Sequence, residues 1–301
     1  MTAQWLCLAF SGLAVAASPD GFQRLAHCVD HKDQACVSAC LKEAPAYSSP
    51  EYLALAARAY MLLGQNQEAL RSIAAAVQLK PGNYGYLMEQ GWLDQRSGDQ
   101  ISAIRSFLLA AEANPHSVSV FYELGMSFFL AGEDERATRH FNRALQLDPK
   151  NDKSQFMLGV VAIRKNQLDE AKLHFEKALE LQPKNSHYLL HYGVLLTRMD
   201  QFDLAVSKML EADKIDPSNP LTHYNLGKRY REMGKLAEAR NEFETSVRLR
   251  PNFSPAFFQL GMVYRRLGEE AKARKAVQTF EELTSREKAA KMDPIDANLE
   301  E

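Results

Sequence analysis

From residue 50 onward, apolar residues recur at three- and four-residue steps in paired short stretches. Within residues 118–151, Phe121, Leu124, Gly125 and Phe128 fall on one helix face, and Ala137, Phe141, Ala144 and Leu145 on a second. The pair then repeats. Prolines stand at Pro81, Pro115, Pro149, Pro183, Pro217 and Pro251, each 34 residues after the last. Small residues keep the same step at Ala57, Gly91, Gly125, Gly159, Gly193, Gly227 and Gly261, as do alanines at Ala69, Ala103, Ala137, Ala171, Ala205, Ala239 and Ala273. Three ladders in one register predict stacked helical hairpins. The two small-residue ladders allow the helices of each hairpin to approach closely. Gly64, Gly98, Gly132, Asn166, Asp200, Gly234 and Gly268 stand between the helices and are types that accept a left-handed residue. Asn83, Ser117, Asn151, Asn185 and Asn219 precede first helices as N-caps, and the prolines end second helices. A single hairpin cannot bury its apolar face, so neighbours must stack into an α-solenoid.

Outside the repeats the pattern changes. Residues 5–17 (WLCLAFSGLAVAA) form an apolar run of 13 residues, too short for a membrane-spanning helix. The run ends in small residues before Ser18, so residues 1–17 read as a secretory signal peptide, although no Lys or Arg precedes Arg24. The second reading of this run is a helix buried on the first repeat, and a third is a retained membrane anchor. The first predicts an exported chain, periplasmic or secreted, and the second a cytoplasmic one; neither leaves a stable membrane span in the mature chain. Residues 18–49 read as a capping hairpin, with Phe22, Leu25 and Val29 on one helix and Ala35, Ala39 and Leu41 on the next. This hairpin holds Cys28, Cys36 and Cys40. In an exported protein Cys28 is expected to bridge to Cys36 or Cys40, leaving one thiol over. The alternatives are reduced structural cysteines or a metal site, and C-x7-C-x3-C matches no standard zinc spacing. Residues 50–287 hold seven repeats, the last ending in an extended, charged second helix of the kind a terminal cap requires. Residues 288–301 are an acidic, proline-broken tail expected to be disordered.

With 46% hydrophobic and 25% charged residues the chain has material for a core, and a formal net charge of −2 gives no case for nucleic-acid binding. A repeat array grows in one dimension, so 301 residues do not imply two domains. There is no P-loop, Gly-rich dinucleotide turn, H-E-x-x-H or G-x-S-x-G. The expectation is therefore a chain that is not an enzyme and has no cofactor and no metal. His187 and His191 stand four residues apart with His223 in the next copy, a spacing that solvated histidines explain more simply than a metal site. His140 and His174 occupy one place in consecutive copies.

In the frame 50–83, 84–117, 118–151, 152–185, 186–219, 220–253 and 254–287, the chain resembles the tetratricopeptide repeat family. The signature small residue fills the eighth place, alanine the twentieth, and proline the thirty-second of the first six copies. Large apolar residues fill the twenty-fourth: Ile73, Phe107, Phe141, Phe175, Met209, Phe243 and Val277. The resemblance covers about four fifths of the chain and departs at Asp94, Gln155 and Ser285. It implies a right-handed superhelix of helix-turn-helix repeats whose first helices line a concave groove for a protein partner, bound as a peptide or helix. The facing places carry Met88 and Trp92; Tyr122, Met126 and Phe129; Phe156, Met157, Val160 and Ile163; Leu190 and Val194; Tyr224, Asn225, Lys228 and Arg231; and Phe258, Gln259, Met262 and Arg265. Aromatics, Met and Arg are interface-anchoring types. The carboxylate clamp of one family subclass is not expected, because only Asn225 stands at a matching place. The implied function is a non-catalytic scaffold or adaptor. The alternative is an accessory or substrate-presenting subunit of an enzyme or of a secretion or assembly complex.

Overall fold

The computed structural model describes residues 19–43 and 49–292. The leader expected over residues 1–17, and residues 293–301 of the expected tail, lie outside the described residues. Within them the chain is all-α: α1 (Pro19–Asp30), α2 (Gln34–Glu43), α3 (Pro50–Leu62), α4 (Asn66–Leu79), α5 (Tyr84–Ser97), α6 (Gln100–Ala113), α7 (Val118–Leu130), α8 (Asp134–Leu147), α9 (Asp152–Arg164), α10 (Leu168–Leu181), α11 (Ser186–Arg198), α12 (Phe202–Ile215), α13 (Pro220–Glu232), α14 (Leu236–Leu249), α15 (Ser254–Arg266) and α16 (Glu270–Met292). The described residues form two compact units, one ending at Pro149 and one beginning at Lys150. In each, α-solenoid hairpins of consecutive helices stack on their neighbours.

The boundaries follow local chemistry. The side chains of Asn83, Ser117, Asn151, Asn185 and Asn219 each accept a backbone N–H from the first turn of the helix that follows. Ser49 does the same for α3, whose first residue is Pro50. The predicted left-handed connectors all have positive φ, including the two non-glycine residues Asn166 (59°) and Asp200 (58°).

The core of each hairpin is a close contact between the eighth and twenty-fourth places. A Cβ placed on Gly91 would lie 2.5 Å from the Phe107 ring, and one on Gly125 would lie 2.5 Å from Phe141. Phe107, Phe141, Phe175 and Phe243 are fully buried, as are the twentieth-place alanines beside them. Two of the three departures from the repeat, Asp94 and Gln155, find polar partners. Asp94 is buried and accepts a hydrogen bond from Ser106 Oγ at 3.1 Å, while burial raises its carboxyl pKa. Gln155 Oε1 lies 2.8 Å from His174 Nδ1.

In the first unit α1 and α2 cap the stack, with Leu25, Cys28, Val37 and Cys40 packed against Tyr52, Leu55, Ala56 and Ala59 of α3. In the second unit His223 joins three helices. Its Nδ1–H donates to Glu242 Oε2 (2.8 Å) and its Nε2–H to the Pro217 carbonyl (3.1 Å), with Asp213 Oδ1 3.3 Å away. An imidazole donating from both nitrogens is an imidazolium. The Glu242 hydrogen bond raises its pKa against the opposing effect of burial.

Two predictions follow from this packing. Gly91→Ala should lower stability by up to about 2 kcal/mol, because overpacking costs ~1–3 kcal/mol and alanine returns only ~1 kcal/mol of helix propensity. Urea unfolding should show the loss, and adding Phe107→Leu should recover part of it. His223→Gln should cost about 1.5–3 kcal/mol, the range for hydrogen bonds to a charged group, at pH values below the unfolded histidine pKa near ~6.5. Because the folded pKa is raised, the gap between wild type and variant should close as pH rises through it. Chemical denaturation between pH 5 and pH 9 reads the trend.

Candidate functional site

In the first unit, the facing places of α3 and α5 build a cavity with the end of α1. It measures about 310 Å³ and is lined by Val29, Lys32, Arg58, Met61, Leu62, Glu89, Trp92 and Arg96. A second cavity of about 350 Å³ adjoins it and shares Arg58, Glu89 and Trp92 with Tyr84, Gly85, Met88 and Ser119. Arg58 spans consecutive first helices to hold the buried Glu89 carboxylate, Nε to Oε1 at 2.6 Å and Nη2 to Oε2 at 3.2 Å. The same hydrogen bond raises the Arg58 pKa. Glu89 is thus committed to one cation, whereas Lys32 and Arg96 have no carboxylate partner among the described residues. Trp92 presents its ring at 43% exposure. Of the other anticipated residues here, Tyr122 and Met126 are half-buried and Met88 is buried. The Tyr122 ring centroid lies 5.9 Å from that of Phe141.

In the second unit the anticipated residues separate into two groups. Phe156 is buried in a ring cluster, with centroids 4.6 Å from Tyr188, 5.1 Å from His187, 5.2 Å from His191 and 5.4 Å from Phe175. Val160 is half-buried nearby. Burial pushes the His191 pKa down to about 4, helped by His187, which is itself lowered by burial. Both are therefore neutral rings packed on an aromatic cluster. His223, which sequence spacing placed near them, is occupied by Glu242 and Pro217.

The second group lies on α13 and α15. Lys228 Nζ sits 5.7 Å from the Tyr224 ring centre, and Tyr224 meets Phe253 edge-on at 5.1 Å. Arg231 Nη1 donates to Gln259 Oε1 (2.5 Å) and lies 3.7 Å from Met262 Sδ. Asn225 donates to the Leu221 carbonyl within its own helix (2.8 Å). Phe258 and Met262 are exposed, as is Arg265. Burial lowers the Lys228 pKa, and the charges of Arg229 and Arg231 lower it further. Arg229 is different, being buried, paired with Glu232 and stacked over Phe202 at 5.1 Å. Lys228, Arg231 and Arg265 have no carboxylate partner among the described residues. The surface is suited to holding an acidic group beside an apolar one.

Sequence reasoning missed Arg58, Glu89 and Arg96, although their ninth, sixth and thirteenth places belong to the facing set. A ninth-place cation followed by a sixth-place acid in the next copy was the available signal. It also missed a groove of about 390 Å³ lined by Glu244, Val247, Phe257, Leu260, Tyr264, Lys272, Lys275, Ala276 and Thr279, none of which is at a facing place. In the cap, Cys28 is bonded to Cys36, and Cys40 is a buried free thiol. No helix of the described residues is long and apolar enough to cross a membrane.

Models of the tetratricopeptide repeat match residues 50–83, 88–152, 128–190, 220–253 and 255–287. No curated protein matches the chain. Among solved structures, a tetratricopeptide repeat protein from Parabacteroides merdae is similar with TM-score 0.64 and 20% identity, over 78% of this chain and 93% of that one. A chain of the APC/C hetero-tetramer Cut9–Hcn1 is similar with TM-score 0.63 and 17% identity, over 79% of this chain but 48% of that one. The pilF structure from Pseudomonas aeruginosa has TM-score 0.53 and 26% identity, over 55% of this chain and 75% of that one.

The Arg58–Glu89 pair allows a test of what the first cavity's wall depends on. Arg58→Met strands a buried carboxylate and should cost about 1–3 kcal/mol, below the ~3–5 kcal/mol of breaking a fully buried pair because the Arg58 side chain is 57% exposed. The Arg58→Met/Glu89→Leu double variant should recover most of that loss in thermal and urea unfolding.

Proposed function

We propose that this chain, which belongs to the tetratricopeptide repeat family, is a non-catalytic scaffold that takes an acidic, apolar segment of a protein partner on the first helices of its repeats. Repeats of this family generally mediate protein–protein interaction. The observation that carries the finer reading is the face of α13 and α15, where Lys228, Arg231 and Arg265 stand without carboxylates beside exposed Phe258 and Met262. A desolvated cation with no counter-charge favours an incoming anion, and exposed Phe and Met next to it supply the apolar anchor. In the first unit, Trp92 beside Lys32 and Arg96 repeats the combination of an exposed ring and uncompensated cations.

Selection of displayed 12-residue peptides on the full chain tests the reading. The recovered peptides should carry net negative charge and at least one large apolar side chain. Phe258→Ala should weaken a recovered peptide roughly tenfold or more, as expected of an anchor residue. Lys228→Ala/Arg265→Ala should weaken it and flatten its salt dependence. Neutral or basic peptides, or binding indifferent to both variants, would rule the reading out.

A further inference from the structure

We infer that the three cysteines of the N-terminal cap form a thiol–disulfide exchange site in which Cys28 is shared between two alternative partners. One bond needs two cysteines, and the structure brings three together. Cys28 on α1 is bonded to Cys36 on α2, with Cα atoms 5.6 Å apart, inside the ordinary disulfide range. The thiol of Cys40 lies 3.7 Å from the Cys28 sulfur, and all three sulfurs lie within 4.8 Å of one another. Cys36 and Cys40 are four residues apart on one face of α2, so each reaches Cys28 by side-chain rotation and not by moving a helix. Their surroundings differ. Cys28 and Cys40 are buried at 1% and 7% exposure, while Cys36 is partly exposed.

The chemistry balances without an added oxidant. Cys40 gives its proton to solvent and its thiolate attacks the Cys28 sulfur. The Cys28–Cys40 bond forms, the Cys28–Cys36 bond breaks, and Cys36 leaves as a thiolate that takes up a proton. Exchange therefore moves the free thiol from the interior to the accessible position on α2. There the Cys36 thiolate attacks the disulfide of a second molecule, forming a mixed disulfide and releasing that molecule's other sulfur as a thiol. The substrate class is thus a disulfide-bearing partner. The change is made next to the first cavity, because Val29 and Lys32 of its wall follow Cys28 in the chain.

Native alkylation maps the exchange. The oxidised full chain is held with iodoacetamide at pH 8, quenched with acid and digested with trypsin, which separates Cys28 (residues 25–32) from Cys36 and Cys40 (residues 33–42). Mass spectrometry should place the label on Cys36, in molecules that carry a Cys28–Cys40 bond. Cys36→Ser should form the Cys28–Cys40 disulfide, and in Cys40→Ser the peptides of residues 25–42 should carry neither iodoacetamide label nor glutathione from its disulfide, label at Cys7 being read separately on its own peptide. Both variants are compared with wild type for helicity. The inference is overturned by a thiol that stays unlabelled until the chain is unfolded, or by label on Cys40 with the Cys28–Cys36 bond intact. It is also overturned by a Cys36→Ser chain of native helicity that forms no disulfide, or by a chain isolated with three reduced cysteines around a stoichiometric soft metal ion.

Discussion

Each hairpin depends on how closely its two helices approach where a small residue at the eighth place meets a large one at the twenty-fourth. Where the large residue is phenylalanine, only glycine fits opposite, because any Cβ on Gly91 or Gly125 would enter the ring. The ends of the array obey the same volume rule with other residues. Ala57 and the smaller Ile73 share one core cluster in the first copy, and in the last a Cβ on Gly261 would stand 3.0 Å from Val277. In the fifth copy Met209 takes the ring's position, and its flexible chain passes 2.8 Å from where a Gly193 Cβ would stand. The pairing therefore conserves filled volume more than residue identity, as close-packed interiors require.

Fixing the helix pairs at this contact decides which polar groups meet across neighbouring repeats. Within each unit first helices lie side by side, so a side chain on one reaches the next about thirty residues on, as Arg58 reaches Glu89 and Arg231 reaches Gln259. These rungs use some cations and spare others. On α3 and α5 the rung is a full ion pair, leaving Arg96 and Lys32 uncompensated at the rim of an apolar cavity. On α13 and α15 the rung is neutral on one side, so Arg231 keeps its charge. At these two places the repeat's own ladder of contacts is incomplete.

The fold was legible because its determinants are local and repeated: caps such as Asn151, left-handed connectors such as Asn166, and the small-residue ladders all act within a few residues or within one hairpin. The candidate site was only partly legible. Trp92 and Phe258 are exposed and Lys228 is half-buried, whereas Met88 and Phe156 are buried, Phe156 against Tyr188 of the next first helix. A solenoid helix packs on more than one side, and periodicity does not distinguish a face against the next repeat from one open to solvent. Arg58 and Glu89 escaped notice because their pairing joins two copies, and neither residue stands out within its own. The same limit applied to the cap, where spacing offered Cys28 two bridging partners and the packing of α1 on α2 brings both within reach.

The cations on α13 and α15 raise a question of stability, since uncompensated charges beside apolar rings should weaken the fold. Helix electrostatics explains their tolerance. Arg231 and Arg265 occupy the last turns of their helices, where unsatisfied carbonyls and the macrodipole favour positive charge by ~0.3–1 kcal/mol. Lys228 lies earlier in α13 and is steadied by the Tyr224 ring, at some cost from burial. Arg229, which is deeply buried, carries its own carboxylate in Glu232. The charges without partners are thus those that the helix ends and an aromatic face already accommodate. These charges are therefore separable from folding: neutralising Arg265 should disturb little of the core, whereas removing Glu232 would strand Arg229 and disturb the repeat itself.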